Sequence, residues 1–109
     1  MKQCRLDTYV VDTLMADLVL HERSPSAFLV YVYLARSSGS SKSGVRLSHQ
    51  AIAIATGLSK SAVQSAVRVL LRRRLLRSQR DSITAVPRYT VLRPWRRPRI
   101  TRTTRFWTA

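Results

Sequence analysis

The side chains with the clearest chemical potential lie in the segment LSKSAVQSAVRVLLRRR, which runs from Leu58 to Arg74. The segment combines amide, hydroxyl and cationic groups, which can pair with the hydrogen-bonding edges of nucleic-acid bases. A Gln side chain can make two hydrogen bonds to adenine, and Arg or Lys can do so to guanine. We predict that the following side chains reach base edges from one face of a helix: Lys60, Ser61, Gln64, Ser65 and Arg68.

Residue patterns typical of catalytic or metal sites do not occur in the sequence. Cys4 is the only cysteine, and His21 and His49 lack Cys or carboxylate companions at metal-ligand spacing. The sequence also contains no close pair of carboxylates and no pattern that suggests a Ser–His–Asp arrangement. We therefore expect no enzymatic activity, no metal and no cofactor.

The charge of the chain is unevenly distributed. The 109 residues carry a net charge of +15. Up to Ala35 three basic residues face four acidic ones, whereas from Arg36 onward seventeen basic residues face only Asp81. Such a field attracts polyanions, so nucleic acid is the expected partner. An anionic membrane is the rival, but no basic amphipathic helix with exposed Trp or Leu precedes the C-terminal tail.

The expected location is cytoplasmic. No apolar run is long enough to span a membrane. The N-terminus is too acidic and too interrupted for a signal peptide.

Two short amphipathic segments between Leu47 and Leu76 must position the polar groups. Ser48 and Ser59 stand at the expected N-caps, where a serine hydroxyl can accept a bond from an unpaired amide of the first helical turn. Gly57 stands where a left-handed residue usually ends a helix. Apolar residues recur at helical spacing from Val63 onward. The predicted apolar set is Ile52, Leu58, Val63, Ala66, Val67, Leu70 and Leu71.

A buried helix and three short strands are predicted around this helical pair. Ser24 as N-cap and Pro25 at the first helical position predict a helix that runs to about Ser37. The run SSGSSKSG that follows has the composition of a loop. Strands are predicted at Gly44–Leu47, Leu75–Arg80 and Arg88–Leu92. Pro87 cannot donate to a strand ladder and is interpreted as marking an edge.

The N-terminal residues allow more than one interpretation. Residues 1–8 are expected to be frayed or extended, and Tyr9–Val11 is a short β-prone run. Asp12 can cap a short turn of helix after that run, and an irregular conformation of residues 12–15 is the equal alternative. The leucines of this region are expected either to form a dimer surface or to close the core: Leu14, Leu18 and Leu20.

The region from Ser24 to Leu92 resembles winged-helix DNA-binding domains, and most closely those of small bacterial or plasmid regulators and replication initiator domains. The resemblance rests on a small residue, a glycine and apolar positions in the helical pair: Ala53, Gly57, Leu58, Val63 and Ala66. It implies an α+β, mainly α fold, with a three-helix core and a small β-hairpin wing. The implied divisions are an N-terminal segment, the winged helix-turn-helix and a basic tail: 1–23, 24–92 and 93–109.

Phosphate contacts are predicted around the base-reading face. Serines at helix N-termini and cations on flanking elements suit them, and the candidates are Ser48, His49, Ser59, Arg72, Arg77, Arg80 and Arg88. The same serines can act as caps, and arginines at a helix C-terminus also complement its dipole. In the tail, Arg96, Arg97 and Arg99 are candidates for a basic arm on DNA. Trp95 is expected to pack on the domain.

Three functions fit these observations. The first is a sequence-specific regulator of transcription that binds double-stranded DNA, which we expect to be a homodimer on a two-fold site. The second is a DNA-binding factor in plasmid replication or maintenance. The third is a non-specific RNA-binding or architectural protein, which the arginine-rich tail favours. No pocket for an effector is evident in the sequence.

Overall fold

The computed structural model describes residues 3, 5–39 and 44–96. Residues 8–21 form a helical stretch, called here the N-terminal helix, with π-helical turns at Val10–Leu14 and Asp17–His21. The other elements are α1 (Pro25–Ser38), β1 (Val45–Arg46), α2 (His49–Thr56), α3 (Lys60–Arg72), β2 (Leu76–Gln79) and β3 (Arg88–Val91). The predicted α+β, mainly helical class is confirmed, and the arrangement is compatible with a winged helix.

The predicted helix boundaries are set by local capping. The side-chain oxygens of Ser24, Ser48 and Ser59 each accept a bond of 3.1–3.2 Å from the amide three residues later. Gly57 ends α2 in the left-handed conformation, with φ 79°. These short-range signals alone define the start of each α-helix and the turn between α2 and α3, as the sequence predicted.

The three strands form an antiparallel sheet in the order β1-β3-β2. The interpretation of Pro87 as an edge marker is wrong, because β3 is the central strand. Pro87 lies immediately before β3, so its missing N–H removes no bond from the ladder. Gly44 precedes β1 with φ 86°, and a Cβ there would lie 2.5 Å from the carbonyl oxygen of Tyr89. A side chain at this position would therefore prevent β1 from approaching β3.

The N-terminal helix corrects two further predictions. Tyr9–Val11 is not a strand, and Asp12 lies inside the helix rather than capping it. Val10, Leu14 and Leu18 recur every four residues and are all buried. The wide π-helical turns suit this repeat, which slightly exceeds the 3.6 residues of an α-helical turn. Burial of this row therefore overrides the weak β preference of the run.

One hydrophobic core joins the N-terminal helix to α1, α2, α3 and the sheet. Tyr31 of α1 spans it and donates a 2.9 Å hydrogen bond to the carbonyl oxygen of Leu92. Leu14 and Leu18 close this core, so the dimer-surface alternative fails for both, whereas Leu20 is 67% exposed. Leu71 is also exposed rather than part of the apolar row of α3. Among the described residues, no helix is both long and apolar enough to cross a membrane.

Candidate nucleic-acid interface

The predicted base-reading side chains occupy one exposed face of α3. Burial of Val63, Ala66, Val67 and Leu70 fixes the rotation of the helix against the core. The side chains on the opposite face are all exposed, and they are those predicted from the sequence: Lys60, Ser61, Gln64, Ser65 and Arg68. Because Ser59 caps the helix through the amide of Ala62, the polar row starts at the first turn of α3.

Two predicted phosphate contacts, His49 and Arg80, lie near the predicted base-reading residue Lys60 at the N-terminus of α3. Nε2 of His49, at the start of α2, lies 3.0 Å from the hydroxyl of Tyr89 on β3. Burial lowers the pKa of His49, and the nearby positive charges of Arg80 and Lys60 lower it further. The starts of α2 and α3 and the end of β2 are thus close enough to form one basic surface. We call His49, Lys60 and Arg80 the basic junction.

Tyr89 is the residue of this surface that the sequence did not identify. It is buried, and burial raises the pKa of its hydroxyl. Its hydrogen bond to Nε2 of His49 fixes the orientation of the histidine ring. The alternation along Arg88–Val91 could have shown that Tyr89 points inward, but its partner lies 40 residues away in the sequence.

The predicted arginines of the hairpin divide between the two faces of the sheet. Arg77 is opposite Thr90 and Arg88 is opposite both Gln79 and Arg46. Residues opposite one another share a face, so Arg77 and Arg88 lie on the outer face, away from the buried Leu76 and Val91. Side chains alternate between the faces of a strand, so Arg80, which follows Gln79, belongs to the helical side of the sheet.

The C-terminal end of α3 is neutralised by carboxylates. Arg72 pairs with Glu22, and Arg73 bridges Glu22, at 2.9 Å, and Asp17. Hydrogen bonds from Arg73 lower the pKa of both carboxyl groups. Asp17 also lies 2.9 Å from Nδ1 of His21. The structure therefore places Arg72, a predicted phosphate contact, in an ion pair of the protein itself.

A second neutralised cluster follows the sheet. Trp95 stacks on Tyr9 with ring centroids 4.6 Å apart and donates a 2.8 Å hydrogen bond to Asp7, which confirms that Trp95 packs. Arg96 donates two hydrogen bonds of 2.7 and 2.6 Å to the same carboxylate. These bonds, from Arg96 first and Trp95 second, lower the pKa of Asp7 to about 2. The predicted tail residues Arg97 and Arg99 lie outside the described residues.

The acidic residues thus neutralise particular parts of the surface. Four of the five pair with arginine: Asp7, Asp17, Glu22 and Asp81. The partner of Asp81 is Arg46, at 2.8 Å. Within the part of the chain that the structure describes, no carboxylate lies within ion-pair distance of Lys60, Arg68 or Arg80. In the described residues, the cations of the exposed face and N-terminus of α3 therefore have no carboxylate partner, unlike Arg72 and Arg73 at its C-terminus.

A shallow groove of about 320 Å³ lies between α1 and α2. Its lining is mostly apolar, with Arg36 as the charged member, and consists of Phe28, Leu29, Val32, Tyr33, Arg36, Ala55 and Thr56. No cluster of three or more potential metal-ligating His, Cys, Asp or Glu residues occurs within 5–39 and 44–96.

Comparison with known proteins gave no family. No family model matches the chain, and searches of curated proteins and of solved structures returned no significant match. A function for this chain therefore has to be inferred from its own residues and their geometry.

Proposed function

We propose that the chain binds double-stranded DNA through a winged helix-turn-helix and acts as a sequence-specific regulator of transcription. The observation that carries this proposal is the exposed polar row of α3, which starts at the N-terminus of the helix and lies beside the basic junction. In this proposal α2 and α3 form the helix-turn-helix, α3 enters the major groove, and the β2–β3 hairpin is the wing.

The composition of the row supports base reading in addition to charge neutralisation. Ser61, Gln64 and Ser65 are uncharged, and they lie between the cations Lys60 and Arg68. Cations neutralise phosphates, whereas an amide and hydroxyls add hydrogen bonds, which base edges as well as phosphate oxygens can accept. One bidentate pair between a side chain and its base discriminates by about 1–3 kcal/mol.

The basic junction supports phosphate contacts next to the row. Lys60 and Arg80 supply charge there, and the N-termini of α2 and α3 each carry partly positive backbone amides. If about six phosphates are neutralised, the affinity falls by roughly a thousandfold between 50 and 200 mM salt. A salt slope near zero would count against the proposal.

Selection from a random pool of duplex DNA at near-physiological salt tests the proposal. We expect one enriched motif. Gln64→Ala should relax the preference at one base position of that motif. Gln79→Ala removes the same amide from the outer face of the sheet and should leave the motif unchanged. Retention of DNA without an enriched motif would contradict the regulator.

The same selection separates the alternatives. A basic protein that binds nucleic acid without reading sequence is favoured by the arginine-rich tail, and it would retain DNA of every sequence. RNA would then be the next ligand to measure. A factor in plasmid replication or maintenance would enrich a motif as a regulator does, and the position of that motif at a replication origin would identify it.

A further inference from the structure

Exposed apolar side chains are concentrated at the N-terminal helix. Of the eleven large hydrophobic residues that are exposed in the described part of the chain, six lie between residues 6 and 20. They are Leu6, Tyr9, Val11, Met15, Val19 and Leu20. Scattered exposed apolar residues are normal on a protein surface, but a concentration in one element indicates a contact.

Three of these residues form a row beside the buried one. Val11, Met15 and Val19 recur every four residues, and each follows a member of the buried row of Val10, Leu14 and Leu18. We call Val11, Met15 and Val19 the outer row. The buried row attaches the helix to the core. The outer row is therefore apolar surface that the fold of one chain leaves exposed.

Charge limits what can cover the outer row. Residues 8–21 contain Asp12 and Asp17 and no Lys or Arg, although the chain as a whole has a net charge of +15. DNA and anionic lipid surfaces are attracted to cations, so neither is favoured here. Two copies of this chain repel each other over most of their surface, and they can approach most easily at this helix.

We propose that a second copy of the chain covers the outer row in a two-fold symmetric contact. In such a contact the same surface serves both partners, so a self-complementary apolar row suffices. Arg73 ties the N-terminal helix to the C-terminal end of α3 through Asp17 and Glu22. The contact would therefore leave both basic junctions accessible while fixing the two α3 helices relative to each other.

Sedimentation equilibrium of the full-length chain tests this interface without DNA. We expect a dimer of twice the 12.4 kDa mass of one chain. Met15→Glu should weaken dimerisation by about tenfold or more, because it places charge in the outer row. Ile54→Glu is the matched control: Ile54 is 76% exposed on α2, and its substitution should leave the dimer unchanged.

A second variant excludes misfolding as the cause. Replacing both Val11 and Val19 by Ala retains helix-forming residues and adds no charge. It should also weaken the dimer while the circular dichroism spectrum stays that of the wild type. A mass of 12.4 kDa at every concentration, or equal effects of Met15→Glu and Ile54→Glu, would overturn the interface.

The salt dependence separates this inference from the proposed function. Salt screens the repulsion between two positive chains, so the dimer should tighten as salt rises. DNA binding should weaken over the same range. A monomer that enriches a single half-site would overturn the interface and leave DNA reading intact. A dimer that enriches no motif would support the interface and contradict the regulator.

Discussion

The two ends of α3 carry cations in opposite settings. At the N-terminal end, Lys60 lies near His49 and Arg80, and no carboxylate of the described residues pairs with Lys60 or Arg80. At the C-terminal end, Arg72 and Arg73 are held by carboxylates of the N-terminal segment. Among the residues that the structure describes, the cations at the N-terminal end therefore have no carboxylate partner, whereas those at the C-terminal end are paired.

A pKa is lowered at both ends of α3, but the lowering favours neutral His49 at one end and charged Asp17 at the other. The charges of Arg80 and Lys60 add to burial in lowering the pKa of His49, because a further proton would be repelled. At the other end the charge of Arg73 lowers the pKa of Asp17, because the carboxylate is attracted. A nearby arginine thus destabilises the charged form of a histidine and stabilises the charged form of a carboxylate.

The helix dipole strengthens the contrast. Arg72 and Arg73 at the C-terminus of α3 complement its partial negative charge, and each such contact contributes about 0.3–1 kcal/mol. Lys60 stands at the partly positive N-terminus, where a cation is unfavourable until an anion binds. The cations at the C-terminal end therefore stabilise the fold, whereas the N-terminal end has the charge that the proposed DNA binding needs.

Removing two cations from the basic junction should have the largest effect. Each phosphate contact contributes roughly tenfold to affinity at 50 mM salt, so Lys60→Ala with Arg80→Ala should weaken DNA binding by roughly a hundredfold. The slope of log affinity against log salt should fall by about two. Fluorescence anisotropy of a labelled duplex at several salt concentrations measures both quantities.

The matched control removes two arginines that are already paired. Arg72→Ala with Arg96→Ala lowers the net charge by the same amount, but Glu22 and Asp7 occupy these guanidinium groups. We expect an affinity within about twofold of the wild type, as for ordinary surface substitutions. An equal loss from both double variants would show that the paired arginines also contact DNA, and the distinction between the two ends would fail.

The sequence predicted those features of the fold that depend on neighbouring residues. Ser24, Ser48 and Ser59 cap helices through amides three residues away, and Gly57 ends its helix through its own conformation. At the N-terminus only a short turn of helix after Asp12 was predicted, whereas the helix covers residues 8–21, because its burial depends on packing with distant elements. Local β preference at Tyr9–Val11 was weaker than that packing.

Local sequence patterns also predicted part of the candidate site, but not the contacts between distant residues. The exposed face of α3 follows from helical periodicity, so its members could be named. The pairing of Arg72 with Glu22 spans 50 residues and that of Arg96 with Asp7 spans 89, so neither could be seen in the sequence. Assigning Arg77 and Arg80 to opposite faces of the sheet requires knowledge of the strand register, because a shift of one residue moves every side chain to the other face.

Breaking the neutralised end should lower stability without changing base preference. Arg73→Ala leaves Asp17 and Glu22 close together and without their shared cation. We expect the melting temperature to fall by about 4–8 °C, which corresponds to a loss of about 1 kcal/mol in the free energy of unfolding of a small domain. Arg72→Ala should cost less, because its side chain is 63% exposed and pairs with Glu22 alone. Thermal unfolding followed by circular dichroism measures both, and equal effects would contradict the bridging role of Arg73.

The two ends should respond to pH in different ranges. Folding lowers the pKa of His49, so below about 6.5 the unfolded chain binds a proton that the folded chain excludes. The stability that neutral His49 contributes is therefore lost as the pH falls from about 6.5 toward the lower pKa of His49 in the folded chain. The pKa of Asp17 is lowered from 3.8, so stability contributed by its ion pair is lost only as the pH falls below that value.

Melting temperatures between pH 7.5 and 5 measure the His49 contribution. His49→Gln should reduce the dependence of the melting temperature on pH in this range. The change in melting temperature should be smaller than that caused by Arg73→Ala at pH 7.5. In the wild type, an NMR titration of the His49 ring should show a pKa below 6.5, which rises when duplex DNA is added, because phosphates favour the imidazolium. An unchanged pKa with DNA bound would place the phosphates away from the basic junction.

The smallest change in DNA affinity is expected for a variant of Trp95, which lies next to the basic tail. Trp95→Phe keeps an aromatic ring against Tyr9 but removes the hydrogen bond to Asp7, a loss of about 0.5–1.5 kcal/mol in urea unfolding. The pKa of Asp7 should rise from about 2 but stay below 3.8, because Arg96 remains and is the stronger influence. DNA affinity should not change, because the indole already packs on the protein. Weaker DNA binding together with an unchanged pKa of Asp7 would instead mean that Trp95 leaves Tyr9 to contact DNA. The interface would then extend from the basic junction to the end of the sheet.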